Sequence, residues 1–221
     1  VRPYRQGDDL RKVHWRSTAR RDELMVRVEE RPWRGGTTVL LDHRIHAHRG
    51  SGPTASLEWS ISFVASICLH LHHFGHQVRL VAEDGRVLAG GAADGGHSDH
   101  VVLDSLAALQ ASHRKELAAG IDPGAGQEVI AVLGGVSPAS VDELIRYRPR
   151  GMRSLAVLLD VNAWAGGSDA TAPDPEDARR LLTGAGWGVA IARPSASMQQ
   201  VWAELCASAS NRGPAVRSEV G

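Results

Sequence analysis

Residues 128–161 read EVIAVLGGVSPASVDELIRYRPRGMRSLAVLLDV, and this stretch decides the fold. EVIAVL is a short apolar run that ends in Gly134-Gly135, and SLAVLL is a second such run that ends in Asp160. Between them, SPASVDELIRYR has the composition of a helix, with Pro138 at its start, where a missing N–H costs little. Strand, helix and strand, with both strands continuously apolar after their first residue, predict parallel neighbours buried on both faces.

The same rhythm extends in both directions. TTVLLD (37–42) is a first apolar strand ending in Asp42. ASLEWSISFVASICLHLHHFG then predicts a helix, with Leu57, Ile61, Val64, Cys68 and Leu71 along one face and Gly75 closing it. HQVRLVAED reads as the next strand, RVLAGG as a segment able to pair with it, and HSDHVVLDSLAALQASHRKELAAG as a helix with Val102, Leu106 and Leu109 on one face. Beyond residue 161, DPEDARRLLTGAG predicts a helix, WGVAIARP a strand and SASMQQVWAELCAS a helix. The expected fold is therefore α/β: a three-layer, Rossmann-like, mainly parallel sheet with helices on both faces.

Composition fits that reading. The chain has 221 residues, 43% of them apolar, which suffices for one substantial core, and Lys+Arg balance Asp+Glu at 25 each. Overall charge thus points to no polyanionic partner. Residues 1–36 differ, with ten Lys/Arg against six Asp/Glu. There Asp8 or Asp9 can cap a helical turn, ELMVRVEE alternates as a strand does, and RPWRGG reads as a turn. Tyr4, Trp15 and Trp33 lie among arginines, but the acidic pairs Asp8/Asp9, Asp22/Glu23 and Glu29/Glu30 argue against nucleic acid and for an internal ion-pair lattice. We expect an N-terminal arm over residues 1–36, an α/β domain over 37–210 and a tail over 211–221. Cys68 and Cys206 are expected as buried thiols in a reducing compartment. The longest apolar run is too short to span a bilayer. The chain begins with Val1, so we expect a piece of a longer protein whose remainder could carry membrane segments.

In parallel sheets ligands gather at the carboxyl ends of the strands. Asp42, Gly134, Gly135, Asp160 and Arg193 stand there. Asp42 could hold a cation, although its plainer role is to cap loop backbone. Gly134-Gly135 could expose N–H groups to an anion or simply make a tight turn. His43, His46 and His48 form one histidine cluster and His70, His72, His73 and His76 another, with no acidic residue or cysteine at useful spacing beside the second. No G-x-S-x-G, H-E-x-x-H or paired-cysteine motif is present, so no catalytic residue and no cofactor is expected.

VRPYRQGDDLRKVHWRSTARRDELMVRVEE (1–30) resembles the signature of the bacterial domain-of-unknown-function-58 family, approximately R-x-Y-x-x-G-D-x-x-R-x-I-x-W-x-x-x-A-R-x-x-x-L-x-V-[RK]. The matching positions are Arg2, Tyr4, Gly7, Asp8, Arg11, Val13 (for Ile), Trp15, Ala19, Arg20, Leu24, Val26 and Arg27. The resemblance implies a von Willebrand factor A-type domain and a soluble part on the cytoplasmic face of the bacterial plasma membrane. It implies work with a MoxR-type AAA+ ATPase, often beside transglutaminase-like membrane proteins, and no established enzymatic activity. The A-type metal site needs Asp-x-Ser-x-Ser; here Asp42-His43-Arg44-Ile45-His46 lacks both serines, so Asp42 marks a degenerate metal-site position and no metal is carried over. Tyr4, Asp8, Asp9, Arg11, Trp15 and Arg20 are candidates for docking the arm or binding a partner. The expected function is a non-enzymatic interaction module. The alternative is a metal-dependent ligand-binding domain using Asp42, with His46 or His48 in place of the serines, and a third reading is a hydrolase on the same frame.

Overall fold

The computed structural model describes Arg2–Pro3, Met25–Val26 and residues 36–90, 99–117, 127–148, 152–166 and 172–210. The chain divides into two units, Val1–Arg34 and Gly35–Gly221. In the first, β1 (Arg2–Pro3) pairs antiparallel with β2 (Met25–Val26), Arg2 opposite Val26. Met25 and Val26 belong to the predicted strand ELMVRVEE. The helical turn at Asp8/Asp9, the candidates Tyr4, Asp8, Asp9, Arg11, Trp15 and Arg20, and the tail 211–221 lie outside the described residues.

The second unit begins with β3 (Gly36–Leu41), followed by single 3-10 turns at Ile45–Ala47 and Gly52–Thr54 and by α1 (Ser56–His73). Next come β4 (Gln77–Ala82), β5 (Val87–Ala89), α2 (Asp99–Ala107), β6 (Glu128–Leu133) and α3 (Pro138–Tyr147). β7 (Ser154–Leu159), α4 (Val161–Trp164), α5 (Pro175–Gly184), β8 (Gly188–Ala192) and α6 (Met198–Ser210) complete it. The strands lie in the order β5-β4-β3-β6-β7-β8, parallel except for the edge strand β5, which runs antiparallel to β4. This is the expected doubly wound α/β sheet.

Every residue of β3 and β7 is buried, because each strand feeds two cores. Val39, Leu41, Ile130 and Val157 face a core closed by α1, α2 and α6. Leu40, Val129, Ala131 and Leu158 face one closed by α3 and α5. The chain leaves β3 for one face through α1 and leaves the neighbouring β6 for the other through α3. The crevice between the carboxyl ends of β3 and β6 is therefore the topological switch point of the sheet.

Helix starts follow the sequence. Ser137 and Asp174 cap α3 and α5 by accepting the backbone N–H groups of Ser140 and Glu176, with proline at the first helical position of each. Gly75 adopts φ 78° after α1, a left-handed conformation that suits glycine.

Three expectations change. The buried stripe of α1 is Ser56, Ser60, Phe63, Val64, Ile67 and Cys68, while Leu57, Ile61 and Leu71 are only half-buried. The serines can sit inside because their hydroxyls are bonded: Ser60 Oγ donates to the Ser56 carbonyl at 2.9 Å, and Ser56 Oγ accepts the Arg49 N–H at 2.9 Å. The helix predicted through residues 97–120 stops at Ala107. Beyond it, the backbone of Ser112 bridges the residues after β3, donating to the His43 carbonyl at 2.9 Å and accepting from the Ile45 N–H at 2.8 Å. Finally, both thiols are free, but Cys206 is only half-buried, whereas burial pushes the Cys68 thiol up to about 12. No helix among the described residues is long and apolar enough to cross a membrane.

Candidate functional site

The switch point is built around Asp42. Its backbone N–H donates to the Val132 carbonyl at 2.9 Å, which extends the β3–β6 ladder by one residue and fixes the carboxylate over the crevice. Asp42 is fully buried and Arg44 is 3% exposed. The Arg44 guanidinium turns back onto Asp42, with Nε donating to Oδ1 at 2.9 Å and Nη2 to Oδ2 at 2.8 Å. The Arg44 backbone N–H adds a bond to Oδ1 at 3.2 Å, and the Gly134 N–H one to Oδ2 at 3.2 Å. Each carboxylate oxygen thus accepts two bonds, and a planar guanidinium neutralises the charge in the bidentate geometry that suits it.

Arg44 is itself held at its far side, where Nη1 donates to the Lys115 carbonyl at 2.8 Å. Burial lowers the Arg44 pKa, but the Asp42 hydrogen bonds and the fields of Asp42, Glu83 and Glu116 outweigh it and leave the pKa raised.

The two glycines serve this closure. Gly135 N–H donates to the Ala47 carbonyl at 2.7 Å, and a Cβ on Gly134 would lie 2.3 Å from that same oxygen. Gly134 is needed for close backbone approach. Both glycine N–H groups are bonded internally, so the anion-binding reading of this turn does not describe them.

Two further polar pairs flank Asp42. His48 Nε2 lies 2.8 Å from the Asp42 carbonyl and Nδ1 lies 3.0 Å from Ser56 Oγ. A carbonyl only accepts, so Nε2 carries the proton and Nδ1 accepts from the serine. Burial lowers the His48 pKa, with the Asp42 carboxylate opposing, and keeps the ring neutral. On the other side, His43 Nδ1 pairs with Glu83 Oε2, and both side chains are buried. Burial alone would raise the Glu83 carboxyl. The paired His43 and the nearby Ser112 outweigh it and bring it down to about 2.

Of the residues predicted at the carboxyl edge, Asp42, Gly134 and Gly135 meet at the switch point. Asp160 and Arg193 form a separate, more exposed pair at 3.2 Å, and Asp160 also caps α4. His46 is exposed on the 3-10 turn. His48 addresses the main chain of Asp42 rather than its carboxylate. The second histidine cluster does gain an acid: Asp99 of α2 accepts from His72 Nδ1 at 2.9 Å, a pairing that spacing along the chain hides. No group of three or more metal-ligating side chains comes together among the described residues.

Glu83, Ser56 and Ser112 were missed in the sequence. Glu83 carries a signal that could have found it. It follows the apolar run of β4 as Asp42 follows that of β3, so acidic residues end two neighbouring parallel strands.

A family model described as "Protein of unknown function DUF58" matches residues 1–127, more than half of the chain. The chain belongs to the DUF58 family. The DUF58 match takes in the signature stretch and Asp42, Arg44, His48, Glu83 and Ser112, and ends before Gly134. A comparison with curated proteins found no match. Among solved structures, the DUF58 chain is similar to "von Willebrand factor type A from Catenulispora acidiphila", at TM-score 0.47 and 13% sequence identity over 79% of this chain. It spans 42% of the length of that protein.

Proposed function

We propose that this DUF58 chain is a non-enzymatic protein-interaction module, von Willebrand A-like in role and without a working metal site. In this reading it belongs to a longer protein anchored at the cytoplasmic face of the bacterial plasma membrane. There it acts with a MoxR-type AAA+ ATPase in assembling or maturing a partner, which could be a transglutaminase-like membrane protein.

The observation that carries the reading is the closed state of Asp42. The place where such a sheet would bind a ligand is filled by Arg44, with both carboxylate oxygens saturated. A divalent cation at Asp42 would have to displace that guanidinium, His48 is bonded to the Asp42 carbonyl rather than its carboxylate, and His46 is exposed while Asp42 is fully buried. A serine–histidine pair exists, but Ser56 is fully buried and already accepts the Arg49 N–H, so no substrate reaches it as a nucleophile. What this end of the sheet does offer is surface. Ile45 is 46% exposed, on the rim of a cavity of about 300 Å³ beside His48, Arg49, Leu57 and Glu58.

The test is binding of the purified chain to its cognate MoxR-type ATPase with ADP, with an unreactive ATP analogue and without nucleotide. Saturable binding in at least one state, weakened by Ile45→Asp, is expected. No binding in any state overturns the ATPase assignment.

A further inference from the structure

The two edges of the large sheet are finished differently. β5 is three residues long and has a register shift where it pairs with β4, and its Leu88 carbonyl accepts from Ser105 Oγ of α2 at 2.9 Å. A short, irregular, capped strand discourages further pairing. β8 closes the opposite edge with five residues, Gly188–Ala192, in regular parallel register with β7. Its sequence GVAIA holds no charge and no proline. Arg193 and Pro194 come only after its end, and Arg193 is turned onto Asp160 at 3.2 Å.

Main-chain groups alternate in direction along a strand, so one set meets β7 and the other faces outward. The Ala192 carbonyl accepts the Asp160 N–H at 2.9 Å and therefore points towards β7, with Ala190 and Gly188 in phase. Val189 and Ile191 turn their N–H and C=O groups to the open edge, where β8 has no second neighbour among the described residues. Burial follows the same alternation: Gly188, Ala190 and Ala192 are buried, and Val189 and Ile191 only half-buried. Both pack against the core closed by α3 and α5, yet neither is fully covered.

Two donors and two acceptors, set two residues apart on a strand with no blocking device, match the main chain of another extended segment. Continuation of the sheet by a whole second domain would also press helices against α5. That helix spends its outer side on charge, with Arg179 paired to Glu176 and Arg180 to Asp177. A single strand needs only the edge itself, at a spacing of about 4.8 Å.

We propose that β8 accepts an extended, uncharged segment of a partner protein as a further strand, held by the main chain of Val189 and Ile191. Valine or isoleucine at alternate positions of that segment lies beside Val189 and Ile191 and completes their cover. This contact is independent of the ATPase assignment.

The probe is a short acetylated and amidated peptide that alternates valine with threonine between terminal lysines, added to the whole chain. Amide hydrogen exchange is followed by NMR. Without peptide, the N–H groups of Val189 and Ile191 exchange faster than that of Ala190, which is bonded to β7. Peptide at about 1 mM is expected to slow both about tenfold, saturably, and to leave Val87 of β5 unchanged. Val189→Pro removes an outward donor and no bond to β7, so it folds and weakens peptide binding about tenfold. The same peptide with its main chain N-methylated does not bind. If the proline variant fails to fold, the exchange data on the wild type decide alone. Absence of protection at Val189 and Ile191 overturns the proposal, as does equal binding of the N-methylated peptide or of folded Val189→Pro. Self-association that protects the same two N–H groups without peptide assigns the edge to a second copy and overturns it too.

Discussion

Arg44 stands two residues after Asp42 and folds back to meet both of its carboxylate oxygens, Nε on Oδ1 at 2.9 Å and Nη2 on Oδ2 at 2.8 Å. The charge that could draw a ligand to the switch point of the sheet is spent inside the chain. The stability and the chemistry of this end of the DUF58 domain both follow from that pair.

Removing one partner leaves the other as an uncompensated buried charge. Arg44→Met is expected to destabilise the fold by about 3–5 kcal/mol, measured by urea unfolding. Arg44→Lys should recover only part of the loss, because an ammonium cannot make the bidentate contact. The double variant Asp42→Asn/Arg44→Met, with no charge left, should be more stable than Arg44→Met alone. A double variant no better than the single one would mean that packing, rather than charge, dominates.

Cations should find no purchase at this site. Thermal unfolding with increasing Mg²⁺ or Mn²⁺ is expected to show no saturable stabilisation that depends on Asp42. A shift present in the wild type and lost in Asp42→Ala would reinstate the metal-binding reading.

Glu83 makes the domain acid-sensitive. Its folded pKa of about 2 lies below its value in the unfolded chain, so its contribution is complete above roughly pH 4.5 and fades as pH falls towards 2. The contribution is on the order of 3 kcal/mol, from about 1.4 kcal/mol per unit of displacement. Stability measured from pH 5 to pH 2 should fall more steeply in the wild type than in Glu83→Gln.

His48 has its pKa lowered by burial, so it stays neutral below the usual histidine range, with the proton on Nε2. The unfolded chain takes up that proton first as pH falls through about 6.5, and the domain loses stability there. An imidazole ¹⁵N titration should place its midpoint below the usual histidine range and show the neutral ring protonated on Nε2. A midpoint above that range, or a neutral ring protonated on Nδ1, would contradict the bonding described for Asp42 and Ser56.

Gly134 and Gly135 should respond differently to alanine. At Gly134 the new Cβ meets the Ala47 carbonyl at 2.3 Å, and at Gly135 its nearest neighbour is Val161 Cγ2 at 3.3 Å. Gly134→Ala is expected to cost about 1–3 kcal/mol or more in denaturant unfolding, and Gly135→Ala clearly less.

Much of the architecture could be read along the chain. The apolar runs ending in Asp42, Gly134 and Asp160 became β3, β6 and β7, and the prolines at 138 and 175 marked helix starts. Errors arose where polar groups decided the outcome. Leu57 and Ile61 form the better apolar stripe on paper, yet Ser56 and Ser60 are the buried residues, because α1 begins against the polar switch point. Residues 108–117 continue a helical pattern, but the backbone of Ser112 is drawn into a bridge with His43 and Ile45.

The sequence by itself determined the alternation of strands and helices and placed Asp42 at the end of the first long strand. Hydrophobic period is a local property, and so is the point at which it stops. Only the tertiary structure decided what Asp42 does. Its partners include Gly134, 92 positions away, and an Arg44 steadied by the carbonyl of Lys115, 71 positions on. A buried carboxylate must be satisfied in space, and its partners in space are chosen by strand order and crossover, which no local pattern encodes.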